Sequence, residues 1–472
     1  MRLDALLRRV DDLEVGTPPG GAAVEVTSVV HDTRAVTAGA LFCCVPGSRV
    51  DGHDLAGEAV ALGATAVLVE RPVGVAVPEL QVPSVRGAMG PVAAAFWGHP
   101  SRQLAVVGVT GTSGKTTTTH LLGSIGDAAG WPTDVIGTLS GPRTTPEAPE
   151  LQATLADAVA RGRRAVAMEV SSHALALGRV RATRFAVAVF TNLSQDHLDF
   201  HADMEDYFAA KAALFEPDYA DEAVVNLDDP RGRWLFEQAT VPTEGYSVAD
   251  VTDLEVGVAS SRFTWRGQSV HLPFGGRFNV SNALAAATAA ARLGIGLDAI
   301  AEGLGRAPRV PGRFEAIEEG QPFSVLVDYS HKPGALASAL GSAREAVGSG
   351  RLLLVFGAGG DRDASKRPQM GEVASRLADR VLLTSDNPRG EDPLAIIDAV
   401  RSGMTRTDGL TVEPDRAAAI AQAIGEAAPG DVVVIAGKGH ETVQVVGDQQ
   451  LPFDDRTVAR DVLRALRGER GW

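Results

Sequence analysis

The sequence predicts an α/β protein of three domains, and three observations carry that prediction. A chain of 472 residues holds material for about three cores at roughly 150 residues each. Residues 105–120, AVVGVTGTSGKTTTTH, read strand, Gly-rich turn, helix. Beyond Pro311-Gly312, four strand-like runs alternate with helix-like segments, which is the pattern of a second parallel sheet.

Residues 1–100 form the first unit, a small α/β domain. VEVTSVV, GALFCCV and ATAVLVE have the apolar, β-branched character of strands, and DLAGEAVALG that of a helix. The loops HDTRAVTAG and GSRVDGH carry Arg34, Arg49 and His53, and on spacing alone they read as solvated turns. Composition narrows the partners. With 59 acidic against 44 basic residues the net charge is −15, which argues against nucleic acid or an anionic membrane as main partner. The only cysteines, Cys43 and Cys44, are adjacent, so neither a disulfide framework nor a four-thiolate metal site is available. The N-terminal MRLDALLRRVDDLEV lacks an apolar signal core, and no run approaches the ~18 apolar residues of a membrane span. A cytoplasmic, unprocessed protein without membrane insertion is expected.

Residues 101–310 form the central unit, a phosphate-loop ATPase-like parallel sheet. In Gly111-Thr112-Ser113-Gly114-Lys115-Thr116-Thr117 the glycines let backbone N–H groups approach phosphate. The helix N-terminus adds partial positive charge, Lys115 reaches the β- and γ-phosphates, and the Thr116 hydroxyl is suited to Mg²⁺. Val109 stands where the general template has its first glycine, so an ordinary Gly-rich turn is the competing reading. The strand AVAMEV runs into Glu169 and FAVAVFTNL runs into Asp196-His197, so polar groups gather where parallel strands end, the ligand edge of such sheets. Glu169 and His197 are candidate Mg²⁺ ligands beside Thr116. The cluster Asp196, His197, Asp199, His201 also admits a zinc site or a capped turn into the helix MEDYFAAKAALF. Lys211 stands among alanines there, and on residue type alone it snorkels to water. Farther on, GGRFNVSN caps an Ala-rich helix ending at Gly294.

Residues 311–472 form the third, Rossmann-like unit. FSVLVDYSHKP, LLLVFGAGGDRD, RVLLTSDNPRG and VVVIAGKGHE each end in charged or Gly-rich residues, again defining a binding edge. GAGGDRD lacks the full G-x-G-x-x-G, which argues against NAD.

Taken together, Gly111 to Thr116, Glu169-Val-Ser-Ser-His173, Thr191-Asn-Leu-Ser-Gln-Asp-His-Leu-Asp199, Lys211, Asn279 with Asn282, Asp328-Tyr-Ser-His331 and Asp386-Asn-Pro-Arg389 closely resemble the Mur ligases. The resemblance spans all three units in order. It implies an ATP-dependent ligase of peptidoglycan synthesis that adds meso-diaminopimelate to the D-Glu carboxylate of UDP-N-acetylmuramoyl-L-Ala-D-Glu through an acyl phosphate. By that resemblance Ser28, Asp32, Thr33 and Arg34 hold the UDP end, while Thr144, Thr145, Ser171 and Arg179 hold the muramoyl-dipeptide. Asn279 and Asn282 lie near adenine, and Arg313, Asp328 and His331 reach ATP from the last unit. Glu169 and His197 join two Mg²⁺ sites, and Lys211 is carbamoylated into an anionic oxygen ligand. Arg367, Asp386, Asn387, Arg389, Gly437 and Glu441 match diaminopimelate contacts, with Arg389 able to pair bidentately with that substrate's far carboxylate. The expected partners are thus ATP and these two substrates, acting on a monomer.

The chain departs from the family pattern at Leu177, where relatives carry Gln, and in the short stretch between Thr138 and Thr144. Both departures fall on the acceptor side. The rival readings are a related ligase using lysine or a folate acceptor, such as folylpolyglutamate synthase, and an inactive nucleotide-binding regulator.

Overall fold

Runs of aliphatic and β-branched residues buried on both faces become parallel strands, and in the computed structural model they assemble three such sheets. The structure describes residues 1–10, 24–47 and 50–470; Arg49 lies outside them. The first sheet is parallel throughout, in the order β1 (Ser28–Val30), β2 (Ala40–Cys43), β3 (Ala66–Val69), β4 (Glu79–Gln81). Apolar clusters cover both of its faces, and both cysteines are buried within it.

The central sheet comprises β5 (Ala105–Thr110), β6 (Thr133–Ile136), β7 (Ala165–Glu169), β8 (Phe185–Phe190), β9 (Ala220–Asn226) and β10 (Thr243–Tyr246). All pairings are parallel, in the order β10-β9-β8-β5-β7-β6. From β5 the chain goes to the edge strand β6, returns inward to β7, then crosses to β8 on the other side of β5. A crevice for ligands therefore opens at the carboxyl ends of β5 and β8. The helix Lys115–Ala128 starts there and packs against the Ala-rich helix Arg277–Arg292 in one apolar cluster.

Two features of this unit differ from the sequence expectation. A three-stranded antiparallel meander, β11 (Thr252–Val256), β12 (Ser261–Trp265) and β13 (Gln268–Leu272), was not predicted. Its alternating Phe263, Trp265, Val270 and Leu272 pack into the helical cluster. Of the segment GGRFNVSN only Gly276, at φ +86°, is the cap; the residues after it are helical, so Asn279 and Asn282 lie inside the first two turns.

The third sheet has β14 (Glu315–Ala316), β15 (Ser324–Asp328), β16 (Leu352–Phe356), β17 (Arg380–Leu383), β18 (Leu410–Val412) and β19 (Val432–Ala436), in the order β14-β15-β19-β16-β17-β18. Only β14 is antiparallel. A hairpin, β20 (Val443–Val446) with β21 (Gln449–Pro452), stands beyond it. The C-terminal helix Asp455–Arg470 closes one face through Ala459 and Leu463. Among the described residues no helix is long and apolar enough to cross a membrane.

Candidate active site

The turn after β5 is built on two residues whose backbone only glycine adopts readily: Gly111 has φ +142° and Gly114 has φ +88°. A Cβ on Gly111 would meet Thr191 Oγ1 at 1.9 Å, and one on Gly114 would meet Asn282 Oδ1 at 2.3 Å. Thr191 and Asn192, at the end of β8, hold the loop. The Ser113 N–H donates to Asn192 Oδ1 at 3.0 Å, and the Thr112 N–H to the Asn192 carbonyl at 2.9 Å.

Two lysines converge on one carbonyl beneath this loop. Lys115 Nζ donates to Gly111 O at 2.9 Å, and Lys211 Nζ donates to the same oxygen at 3.0 Å. The expectation that Lys211 snorkels to water is overturned, since the residue is 1% exposed. The adjacent alanines do not shield it. It is carried inward on the buried face of helix Met204–Ala212 with Tyr207 and Phe208, and Nζ lies 4.5 Å from the Tyr207 ring centroid. Burial, then the neighbouring Lys115 and Lys332, push its amine well below the ordinary lysine range. Burial and then Lys332 bring Lys115 down to about 8.

Glu169, at the end of β7, is 1% exposed. Its carboxylate accepts from Thr116 Oγ1 at 3.0 Å and from the Thr138 N–H at 2.8 Å, and among the described residues no cationic side chain pairs with it. A buried carboxylate with only neutral donors is costly unless a cation joins it. Mg²⁺ needs only one or two protein oxygens besides phosphate and water, so Thr116 and Glu169 fit such an ion.

His197, at φ +54°, turns Nε2 to Asp196 Oδ2 at 2.8 Å. Burial pushes the Asp196 carboxyl up, but His197 and the Lys332 ammonium that pairs with it hold it far below the usual range. Burial lowers the His197 imidazole. Of the other cluster members, His201 is engaged elsewhere, bonding Ser172 Oγ at 3.0 Å and Asp206 at 3.2 Å; Asp203, outside the cluster, caps the following helix. Among the described residues no group of three or more His, Cys, Asp or Glu could hold a metal by itself.

The third unit closes over this loop. Arg313 Nη2 donates to Thr116 Oγ1 at 3.1 Å, and its guanidinium lies 4.6 Å from the Tyr329 ring centroid. Asp328 Oδ2 accepts the Phe314 N–H at 2.7 Å, and burial raises its carboxyl. His331 Nδ1 donates to Tyr329 O at 2.8 Å, and burial holds its imidazole well below the ordinary range. Asn282 Nδ2 donates to Asn279 Oδ1 at 3.1 Å. The result is a cavity of about 600 Å³. Thr112 to Thr117, Glu169, His197, Asn282, Arg313, Asp328 and His331 line it, together with Thr144 and Ser171 of the acceptor set. Gly111, Lys211 and Asn279 support the wall without lining it.

The UDP-end residues do not line this cavity, whereas the acceptor set adjoins it. Asp32 caps the turn Thr33–Ala35 and pairs with its own neighbour, Arg34 Nε at 2.9 Å, which holds the carboxyl at about 2. Ser28 Oγ is buried without a hydrogen-bond partner. Thr145 Oγ1 donates to the Glu169 carbonyl at 2.9 Å, and Arg179 Nε pairs with Glu147 at 2.9 Å, which brings the acceptor set to the end of β7.

At the carboxyl edge of the third sheet, Asp386, Asn387, Arg389, Gly437 and Glu441 come together. Asn387 Nδ2 donates to Glu441 Oε2 at 2.8 Å, and Arg389 Nη1 donates to Gly360 O at 2.7 Å. Asp386 is buried, which raises its carboxyl, and its Oδ2 has no hydrogen-bond partner. Arg367 is committed to Glu391 at 2.7 and 2.8 Å.

Four residues given no role from the sequence are built into these sites: Asn192, Lys332, Lys438 and Arg416. Asn192 and Lys332 adjoin recognised motif residues, which was a usable signal. Arg416 opens an unremarkable helix, and nothing in its neighbourhood flags it.

Comparison with known proteins agrees with this layout. Residues 25–97 match the Mur ligase family, catalytic domain; residues 109–290 the Mur ligase middle domain; residues 312–439 the Mur ligase, glutamate ligase domain. A relative from Streptomyces coelicolor named UDP-N-acetylmuramoyl-L-alanyl-D-glutamate--2,6-diaminopimelate ligase is 46% identical, covering 98% of this chain and 97% of its own. A solved structure of a ligase of that name superposes with a TM-score of 0.69 at 32% identity, covering 99% of each chain. The Mycobacterium tuberculosis folylpolyglutamate synthase complexed with ADP and AMPPCP reaches a TM-score of 0.59 at 18% identity over 80% of this chain and 94% of its own, a likeness of fold alone. Matches to three successive domains of one family, with a relative this similar along nearly the whole length, leave a single placement: the chain belongs to the Mur ligase family.

Proposed function

We propose that this chain is an ATP-dependent ligase joining meso-diaminopimelate to the D-glutamate carboxylate of UDP-N-acetylmuramoyl-L-alanyl-D-glutamate. The observation that carries the reading is the 46% identity, over 98% of the chain, to a ligase named for those substrates. In this reading residues 1–100 take the UDP end through Ser28, Asp32, Thr33 and Arg34. Residues 101–310 take ATP, and residues 311–472 take the amino acid.

The γ-phosphoryl group passes to the D-glutamate carboxylate, giving ADP and an acyl phosphate. The incoming amine attacks the acyl carbon, the C–N bond forms, the C–O bond to phosphate breaks, and the amine proton is lost to solvent. No protein nucleophile is required, so catalysis is positioning and charge stabilisation. Lys115 faces the phosphates, and a polyanion beside it favours its charged form. Arg313 brings a second cation from across the cavity. Thr116 and Glu169, with His197 nearby, would hold Mg²⁺, which would supply positive charge against the phosphate oxygens. Lys211 is the carbamoylation site: the neutral amine adds CO₂, releases a proton and becomes an oxygen anion. Thr144, Thr145, Ser171 and Arg179 hold the muramoyl-dipeptide, while Asp386, Asn387, Arg389 and Glu441 hold the amino acid, with Arg389 on its far carboxylate.

The test is to incubate the protein with ATP, Mg²⁺ and UDP-N-acetylmuramoyl-L-alanyl-D-glutamate, adding meso-diaminopimelate, LL-diaminopimelate, L-lysine or glycine in separate reactions. Phosphate release and product mass are followed. Phosphate with a tripeptide product only from meso-diaminopimelate supports the reading. Equal use of lysine refutes the specificity, and no product with any amino acid refutes the acceptor.

A further inference from the structure

The side chain of Lys438 is completely buried at the end of β19, between two glycines. Gly437 has φ +121° and Gly439 φ +55°. A Cβ on Gly437 would stand 2.4 Å from Asp386 Oδ2, and one on Gly439 2.7 Å from Tyr329 Cβ. The backbone thus passes close against the residues that follow β17 and β15, with the lysine held between those two contacts.

All three donors of the Lys438 ammonium are used. Nζ donates to Asn387 Oδ1 at 3.0 Å, to Glu441 Oε2 at 3.2 Å and to the Val443 carbonyl at 2.6 Å. One cation thereby ties the strand end of β17, the loop after β19 and the first residue of the hairpin. The hairpin is stitched to the same loop by backbone bonds. Asn387 Oδ1 also accepts the Val445 N–H at 2.9 Å, the Arg389 N–H donates to Val445 O at 3.0 Å, and the Gly447 N–H to Arg389 O at 2.7 Å. Gln444 Nε2 donates to the Asp386 carbonyl at 2.7 Å. Arg389 is held in these bonds at φ +51°, a conformation that non-glycine residues avoid without support from around them.

We infer that Lys438, together with the β20–β21 hairpin, is the positioning device of the amino-acid site: it fixes the directions of Asn387, Glu441 and Arg389 without itself touching substrate. The inference rests on the proposed amino-acid site at this sheet edge. Lys438 has no donor left for a ligand. Its three acceptors include two of the residues assigned to the incoming amino acid, and the hairpin it anchors carries the backbone partners of a third. Side chains held this way lose little freedom on binding, which is how a site gains discrimination between similar amino acids.

The experiment compares the full-length enzyme with Lys438→Met, Val445→Pro and, as a control on the site itself, Arg389→Ala. Steady-state constants are measured separately for meso-diaminopimelate, ATP and the UDP-linked acceptor. Lys438→Met keeps an unbranched apolar stem as far as the Cε position and removes the ammonium with its donors. Val445→Pro removes only the hairpin N–H that Asn387 accepts, on a half-exposed strand, so it decides the matter should Lys438→Met fail to fold. Loss of hydrogen bonds to a charged group is expected to raise KM for diaminopimelate by about ten- to a hundred-fold in Lys438→Met, and by less in Val445→Pro. KM for ATP and for the acceptor should stay within about twofold, a split that general destabilisation does not produce. If Arg389→Ala raises KM for diaminopimelate while both other variants leave it unchanged, the positioning role is wrong and the site reading stands. If none of the three changes it, the amino acid binds elsewhere and both fall. Equal rises in all three KM values also overturn the inference.

Discussion

Substituting Gly111 with alanine tests the geometry of the nucleotide loop most directly. At φ +142° an alanine is strained at a cost of about 1–3 kcal/mol. Its Cβ would stand 1.9 Å from Thr191 Oγ1, and forced overpacking of this kind typically costs about 1–3 kcal/mol more. The loop has to shift, and with it the Gly111 carbonyl that anchors both Lys115 and Lys211. If the sum of about 2–6 kcal/mol is expressed on nucleotide binding and phosphoryl transfer, kcat/KM for ATP falls by at least about 25-fold. The assay is ADP release at varied ATP, with nucleotide binding followed by calorimetry and folding by thermal melting. A second substitution separates the two causes. Thr191→Ala removes the obstructing oxygen, so the double variant should recover the steric part and retain the conformational part. Gly111→Ala with kcat/KM within about threefold of the parent would refute the argument. So would a double variant no better than the single one.

Asp455→Ala strands the buried guanidinium of Arg416, whose Nε and Nη2 now reach the carboxylate at 2.7 and 2.8 Å. It should lower unfolding free energy by about 3–5 kcal/mol in chemical denaturation, and the apolar swap Arg416→Met with Asp455→Leu should cost less. Burial holds the His440 imidazole down to about 4, against an ordinary 6.5. The unfolded chain takes up that proton first as pH falls through this window, so stability declines on acidification from 6.5 towards 4. His440→Gln should flatten the decline in denaturation midpoints measured between those limits. Lys211→Gln keeps a donor for Gly111 O but cannot take up CO₂; it should fold normally and lose about a hundredfold in ligation rate. Native mass spectrometry of the parent at neutral pH should find the mass of one added CO₂ on Lys211, and its absence from a fully active preparation would contradict the carbamate.

Much of this arrangement was legible in the chain because it rests on strand ends. Each buried parallel strand is a short apolar run, and the polar residue that follows it falls on the ligand edge. Glu169 and His197 were proposed that way, whereas Lys115 came from the phosphate-loop motif and Asp328 and Asp386 from the resemblance to the Mur ligases. What escaped were residues whose partners are distant in sequence. Lys332 gains its meaning from Asp196, and Arg416 from Asp455, and no local pattern announces a pairing between residues so far apart in sequence. Lys211 shows the limit of composition: its alanine neighbours suggested a solvated lysine, whereas the register of its helix with Tyr207 and Phe208 turned it inward. The antiparallel meander of β11 to β13 was missed because each of its strands carries three polar against two apolar residues, too few for an apolar run.

Two cations of the third unit, Arg313 and Lys332, already have partners on the central unit in Thr116 and Asp196. Both also line the nucleotide cavity, where phosphate would compete for the same donors. A ligand drawing either cation to itself must weaken a contact that joins the two halves, or strengthen the joint by bridging it. Nucleotide affinity and the relative placement of the halves are then linked quantities. By thermodynamic reciprocity, whatever occupies the amino-acid edge alters nucleotide affinity by the same factor as nucleotide alters its own. Coupling between the two ligands accordingly runs through two side chains of the third unit that reach onto the central one.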